Sequence, residues 1–272
     1  MVGTLIKHEV LRTWRWLAVL VGGAALLVGA GALGGALFPS PLNGFLGGTG
    51  LLVACAFPMV LPLLLAVDYY RSTFSKTGYF TVAIPVRGAT VFWVKMIYSW
   101  VVAALGFLVT SGLLVLAGVG LTRPMDLDRN FMLDFLRGAY DLVRELPLWG
   151  QVIALVLLVL YPLVSLAGYY FAATVGSEAA FNRMGLGGVV LAWVFYYLAG
   201  QAAGVLGLFL PPSLVLGDLT DITLSWQPMA IFTQMGEETA YLPVFALVMQ
   251  FIVAVVAICW AKVSYDKRLE LR

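Results

Sequence analysis

Apolar residues in this chain come in long unbroken blocks, not in alternation with polar ones and not as narrow helical stripes. Six such blocks stand out: Trp16–Phe38, Asn43–Val67, Ile97–Leu121, Leu148–Ala173, Leu186–Leu210 and Tyr241–Val263. A helix needs about 20 apolar residues to cross roughly 30 Å of hydrocarbon, and each block meets that length. The pattern predicts an all-α integral membrane protein with six transmembrane helices, residues 1–272 forming a single transmembrane domain. The first block is too long for the apolar core of a cleavable signal and ends in Phe38-Pro39-Ser40-Pro41, so it is expected to stay in the mature protein as a span. Pro58, Pro62 and Pro162 fall inside blocks, where neighbouring helices can compensate for the lost backbone bond.

Four segments lie outside the blocks. In residues 1–15, Leu5, Ile6, Val10 and Trp14 share one helical face, with Lys7, Arg12 and Arg15 off it. This predicts an amphipathic N-terminal helix lying at the membrane interface. Residues 68–89 interleave aromatic and basic side chains, with Tyr69, Tyr70, Arg71, Phe74, Tyr79 and Phe80 prominent. Such a loop suits a protein docking surface, and an interfacial aromatic belt is the alternative reading. Residues 123–148 carry Leu127, Phe131, Phe135, Ala139, Leu142 and Leu146 at helical spacing, with Asp134, Arg137, Asp141 and Arg144 opposite. This predicts a second amphipathic helix, its charge pairs forming a solvated face. Residues 211–240 open with Pro211-Pro212, include Asp218 and Asp221, and then run apolar from Leu224 through Trp226 to Phe232, too short to span but able to dip into a membrane if shielded.

Composition agrees: 62% of residues are hydrophobic and 11% charged, against about 25% charged in an ordinary soluble domain. The cations set an orientation. With the N-terminus inside, twelve Lys and Arg fall on the inner side and four (Arg123, Arg129, Arg137, Arg144) on the outer. By the positive-inside rule both termini face the cytoplasm, the 68–89 loop is cytoplasmic, and 123–148 and 211–240 are extracellular. A net charge of +2 without a basic tract gives no footprint for nucleic acid. Cys55 and Cys259, both inside apolar blocks, read as small buried residues. One histidine, His8, and two scattered cysteines make no zinc-type set, and there is no Gly-rich phosphate loop. Catalytic, cofactor and metal residues are therefore expected to be none, and the chain is not read as an enzyme.

No Lys, Arg, Asp or Glu falls near the centre of a block. Proton-coupled carriers place ionisable groups there, so their lack speaks against that class. Polar residues within the blocks include Gln201 and Gln250, which can line a translocation path or form interhelical hydrogen bonds. Gly31-x-x-x-Gly35 and Gly200-x-x-x-Gly204 have the spacing that lets helices approach closely, within the chain or between subunits.

The stretch Gly78-Tyr79-Phe80-Thr81-Val82-Ala83-Ile84-Pro85-Val86-Arg87-Gly88-Ala89-Thr90, leading to Lys95, resembles the first cytoplasmic loop of ABC type-2 exporter permeases, the transmembrane subunits of ATP-binding-cassette transporters. Ile84 stands where that family commonly has leucine, and Gly88 where a basic or polar residue is common. The resemblance implies a permease subunit of an ATP-driven exporter. A coupling helix in the loop, with Tyr69, Tyr70, Arg71, Phe74, Tyr79 and Phe80, would dock on a separate ATPase subunit, present in two copies and carrying the ATP and Mg. A second permease, identical or homologous, would complete the path. The N-terminal helix would be a connecting helix, and Asp218, Asp221, Trp226 and Phe232 would belong to an extracellular gate. The long helix at 123–148 is a departure from the simplest family members. The cargo suggested by uncharged spans is a hydrophobic or amphipathic peptide, lipid or drug. A secondary carrier or channel, and a non-transporting scaffold or immunity subunit, are the alternatives.

Overall fold

The computed structural model describes residues 2–38, 41–74, 86–128, 130–178, 181, 183–216, 222–227 and 240–267. The elements run α1 (Val2–Leu37), α2 (Leu42–Phe74), α3 (Gly88–Met125), α4 (Phe131–Glu145), α5 (Leu148–Val175), α6 (Leu186–Phe209), β1 (Ser213–Leu216), β2 (Ile222–Ser225), β3 (Ala240–Leu242) and α7 (Val244–Lys267). All but α4 among the helices are long and apolar enough to cross a membrane, six in number among the described residues. This is the architecture of a multi-pass membrane protein.

The chain divides into two compact units: Met1–Leu65 with Trp93–Leu142, and Ala66–Phe92 with Val143–Arg272. In the first, α1, the front of α2 and most of α3 meet through glycines. A methyl group at Gly35 or at Gly47 would collide with the carbonyl oxygen of Gly120, and one at Gly31 would lie 2.8 Å from the Cα of Gly50. The backbones touch because no side chain stands between them, which is how small residues hold helices together where water drives nothing. The Gly31–Gly35 pair thus serves packing within the chain. The second amphipathic helix forms as α4; its Met132 covers Gly118 of α3, and Arg137 pairs with Asp134 at 3.3 Å on its exposed face.

In the second unit α5, α6 and α7 pack pairwise. Their core holds Phe171, Ala172, Val175, Ala192 and Ala257, with Val189 and Tyr196 against it. Hydroxyls inside helices return to their own turn: Ser165 donates to the Pro162 carbonyl at 3.0 Å and Thr174 to that of Tyr170 at 2.8 Å. A polar group in a span is satisfied this way without a partner helix.

Two expectations are corrected. The N-terminal interfacial helix is not a separate element: residues 2–15 are the first turns of α1, which runs 36 residues without interruption. No proline or glycine lies between Thr4 and Val21 to end it. At 1.5 Å per residue α1 is about 54 Å long, well beyond the hydrocarbon thickness. The fold is helical apart from three short strands among the described residues between α6 and α7. β1 pairs antiparallel with β2 (Ser213 opposite Ser225, Leu216 opposite Ile222) and with β3 (Leu214 opposite Leu242), in the order β2-β1-β3. Its Leu-Val-Leu and Ile-Thr-Leu runs follow the double proline that stops α6 and suit strands too short to span. Finally, Cys55 and Cys259 are free and exposed, because an apolar span presents much of its surface outward and a thiol in such a run need not be interior.

Candidate functional site

Two groups of residues singled out by the sequence come together in the second unit. The first lies where α2 ends. The Tyr69 ring is buried and stacks on Tyr170 with centroids 4.0 Å apart and planes at 16°. Its hydroxyl is 3.0 Å from Thr174 Oγ1. Thr174 spends its one hydrogen on the Tyr170 carbonyl at 2.8 Å, so Tyr69 is the donor. Phe74, also buried, meets Tyr69 and Tyr265 edge-on at 5.7 and 6.3 Å, and Phe92 from the first turn of α3 closes the cluster against Tyr170 and Tyr265.

Of the six docking candidates, then, Tyr69 and Phe74 turn inward and tie the end of α2 to α5 and α7. Sequence reasoning took their aromatic character for a surface property. The difference is the packing at the end of α2, where both rings meet Tyr170 or Tyr265 and are covered by them. Tyr70 is half-buried beside Phe74, its ring 5.9 Å away, and Arg71 is exposed. Tyr79 and Phe80 lie outside the described residues. Replacing Tyr69 with phenylalanine keeps the stack and removes one hydrogen bond. Thermal unfolding of the purified chain should register a loss of about 1 kcal/mol, against about 3 or more for Tyr69→Ala.

The second group lines a cavity of about 460 Å³ between α5, α6 and α7. Gln201 and Gln250 both reach it, as do Ser165 and Leu247. Aromatic rings make up much of the rest: Tyr161 and Tyr169 from α5, Trp193, Tyr196 and Tyr197 from α6, and Phe251 from α7. Their positions recur at helical spacing (161, 165, 169; 193, 197, 201; 247, 250, 251), so each helix offers one face. That period was present in the sequence but hidden among other aromatics in uniformly apolar runs.

Gln250 donates from Nε2 to the Gly200 carbonyl at 2.9 Å and covers Gly200 and Gly204, so the glycine pair on α6 makes room for an amide of the same chain. Tyr196 donates to the Val164 carbonyl at 2.8 Å and lies flat where Gly168 has no side chain. Trp193 and Tyr197 stack at 5.6 Å, 15° from parallel. Among the described lining residues none carries a charge, so the cavity offers hydrogen-bonding groups and ring faces.

In the first unit, an ion pair emerges that sequence reasoning passed over. Lys95, 4% exposed, holds Glu9 at 3.1 Å, and Glu9 also accepts from Arg12 one turn along α1. Next to it Thr13 bonds to Tyr98, again joining α1 to α3. In the sequence Lys95 stands as a cytoplasmic-side cation and as the lysine that follows the loop resemblance, with nothing to name Glu9 as its partner. Of the gate candidates, Trp226 follows β2 and is exposed, while Asp218, Asp221 and Phe232 lie outside the described residues. Among the described residues, no cluster of three or more His, Cys, Asp and Glu is placed to hold a metal. Comparison with protein-family models, with curated proteins and with solved structures finds no match to this chain.

Proposed function

We propose that the chain is the permease subunit of an ATP-driven exporter, paired with a second permease and driven by separate ATPase subunits. The observation that carries the reading is the sequence from Asp68 to Tyr98, with its Gly-Tyr-Phe and Ile-Pro-Val-Arg segments, running from the end of the second into the start of the third of six spanning-length helices. In this reading the chain sits in the cell membrane with both termini cytoplasmic. It contributes no catalytic group, and ATP and Mg belong to the partner. The loop following α2 is the coupling element. The cavity with Gln201 and Gln250 belongs to the path taken by a hydrophobic or amphipathic cargo. Closure of the ATPase pair shifts the permeases between inward and outward access.

Co-purification from native membranes tests this. Because Phe74 is interior and its loss would disturb the fold, the informative change is Tyr79→Ala with Phe80→Ala. An ATPase subunit is expected to accompany the wild-type chain and to be released, at least tenfold, by the double change, with thermal stability unaltered. Absence of any ATPase from a folded preparation would turn the assignment toward a carrier or a scaffold.

A further inference from the structure

The cavity in the second unit has a polarity that selects its occupant. Gln201 is eight residues from the end of α6 at Phe209, and Gln250 six from the start of α7 at Val244. At 1.5 Å per residue these are about 12 and 9 Å inside the spans. An amide in that setting is costly unless bonded. Among the described residues Gln201 makes no hydrogen bond, and Gln250 uses only one Nε2 hydrogen, on Gly200, leaving Oε1 and the other hydrogen unused. The cavity wall therefore presents two carbonyl acceptors together with N–H donors, and the remainder is largely ring and aliphatic surface.

Each common ligand class meets a different fate there. An anion finds no cation among the described lining residues and faces the negative side of aromatic rings. A quaternary ammonium would welcome the rings but leaves the amide donors unmatched and has no counter-charge. A neutral group that both donates and accepts, attached to an apolar or aromatic body, matches every feature. At about 460 Å³ the space falls within the range of drug-sized sites.

We infer that this cavity binds a neutral, amide-bearing amphiphile, with an apolar peptide segment as its natural chemistry. Gln201 and Gln250 hold the ligand's amide, and the Trp193–Tyr197 stack supports its body. This deepens the exporter reading by naming the cargo class, yet its test needs no ATPase, so either can fail alone.

The probe is N-acetyl-(4-fluoro)phenylalanyl-leucinamide, titrated onto the full chain in lipid nanodiscs. Binding is followed by ¹⁹F line broadening, with empty nanodiscs subtracted. Saturable binding is expected. Gln201→Leu should weaken it about fivefold to tenfold, the worth of one or two neutral hydrogen bonds, without lowering the melting temperature, since leucine suits a span at least as well. Leu247→Trp, which fills the space, should abolish it. The uncapped, zwitterionic dipeptide and tetrabutylammonium should compete at least tenfold less well. The inference is overturned by no saturable binding above empty nanodiscs, by equal binding to Gln201→Leu, or by tetrabutylammonium competing as well as the capped peptide.

Discussion

Glu9→Ala should lower the stability of the chain by about 3 kcal/mol or more, while Lys95→Met should cost roughly a third of that. The asymmetry follows from who is left behind. Lys95 is buried on α3 and looks to Glu9 across a helix boundary, so deleting the carboxylate removes a counter-charge from a buried ammonium. Losing one partner of a buried pair commonly costs about 3–5 kcal/mol for this reason. Glu9, by contrast, keeps Arg12 on its own helix when Lys95 is removed, and it is less deeply buried. The double variant Glu9→Ala/Lys95→Met should recover most of the loss, because neither charge then needs a partner. Thermal unfolding of the purified chain in detergent reads all three variants on one scale. Equal, small effects for the two single changes would show that the ammonium reaches water.

On α3 the same small substitution should act in opposite directions eight residues apart. Gly120→Ala places a methyl 2.8 Å from the Cα of Ala32 and 3.2 Å from that of Gly47, so backbone meets backbone on two sides and neither side chain can turn away. The helices must separate by several tenths of an ångström along their contact, a cost of about 1–3 kcal/mol by analogy with overpacked cores. Gly112→Ala meets nothing within 4 Å. There the gain is that of replacing a helical glycine, about 0.5–1 kcal/mol. Melting temperatures should therefore straddle that of the wild type. If both variants rise, the close approach at Gly120 is not what holds α1, α2 and α3 together.

These predictions depend on contacts that the sequence could not supply, and the cavity shows why. Its aromatic and amide positions have helical spacing, but in a span nearly every face is apolar, so amphipathicity, which singles out the buried side of a soluble helix, carries little contrast. For the same reason Tyr69 and Phe74 were read as surface residues and Cys55 and Cys259 as interior ones. Hydrophobicity reports the solvent here, not the partner. Glycine spacing was more informative: Gly31 and Gly35 do mark backbone contacts, although the helices they meet are set by Gly50 on α2 and by Gly120, far along the chain on α3.

What the amino-acid sequence determined by itself is the number and rough extent of the spanning helices. The bilayer imposes a length, and six apolar blocks of that length leave few other arrangements. It also carried the loop resemblance on which the proposed function rests. Tertiary structure decided which side chains face one another: the Glu9–Lys95 pair, the inward turn of Tyr69, the sheet β2-β1-β3, and the meeting of Gln201 with Gln250. Those choices arise from packing and from the need to satisfy polar groups away from water, which act between residues distant in sequence and leave no local pattern to read.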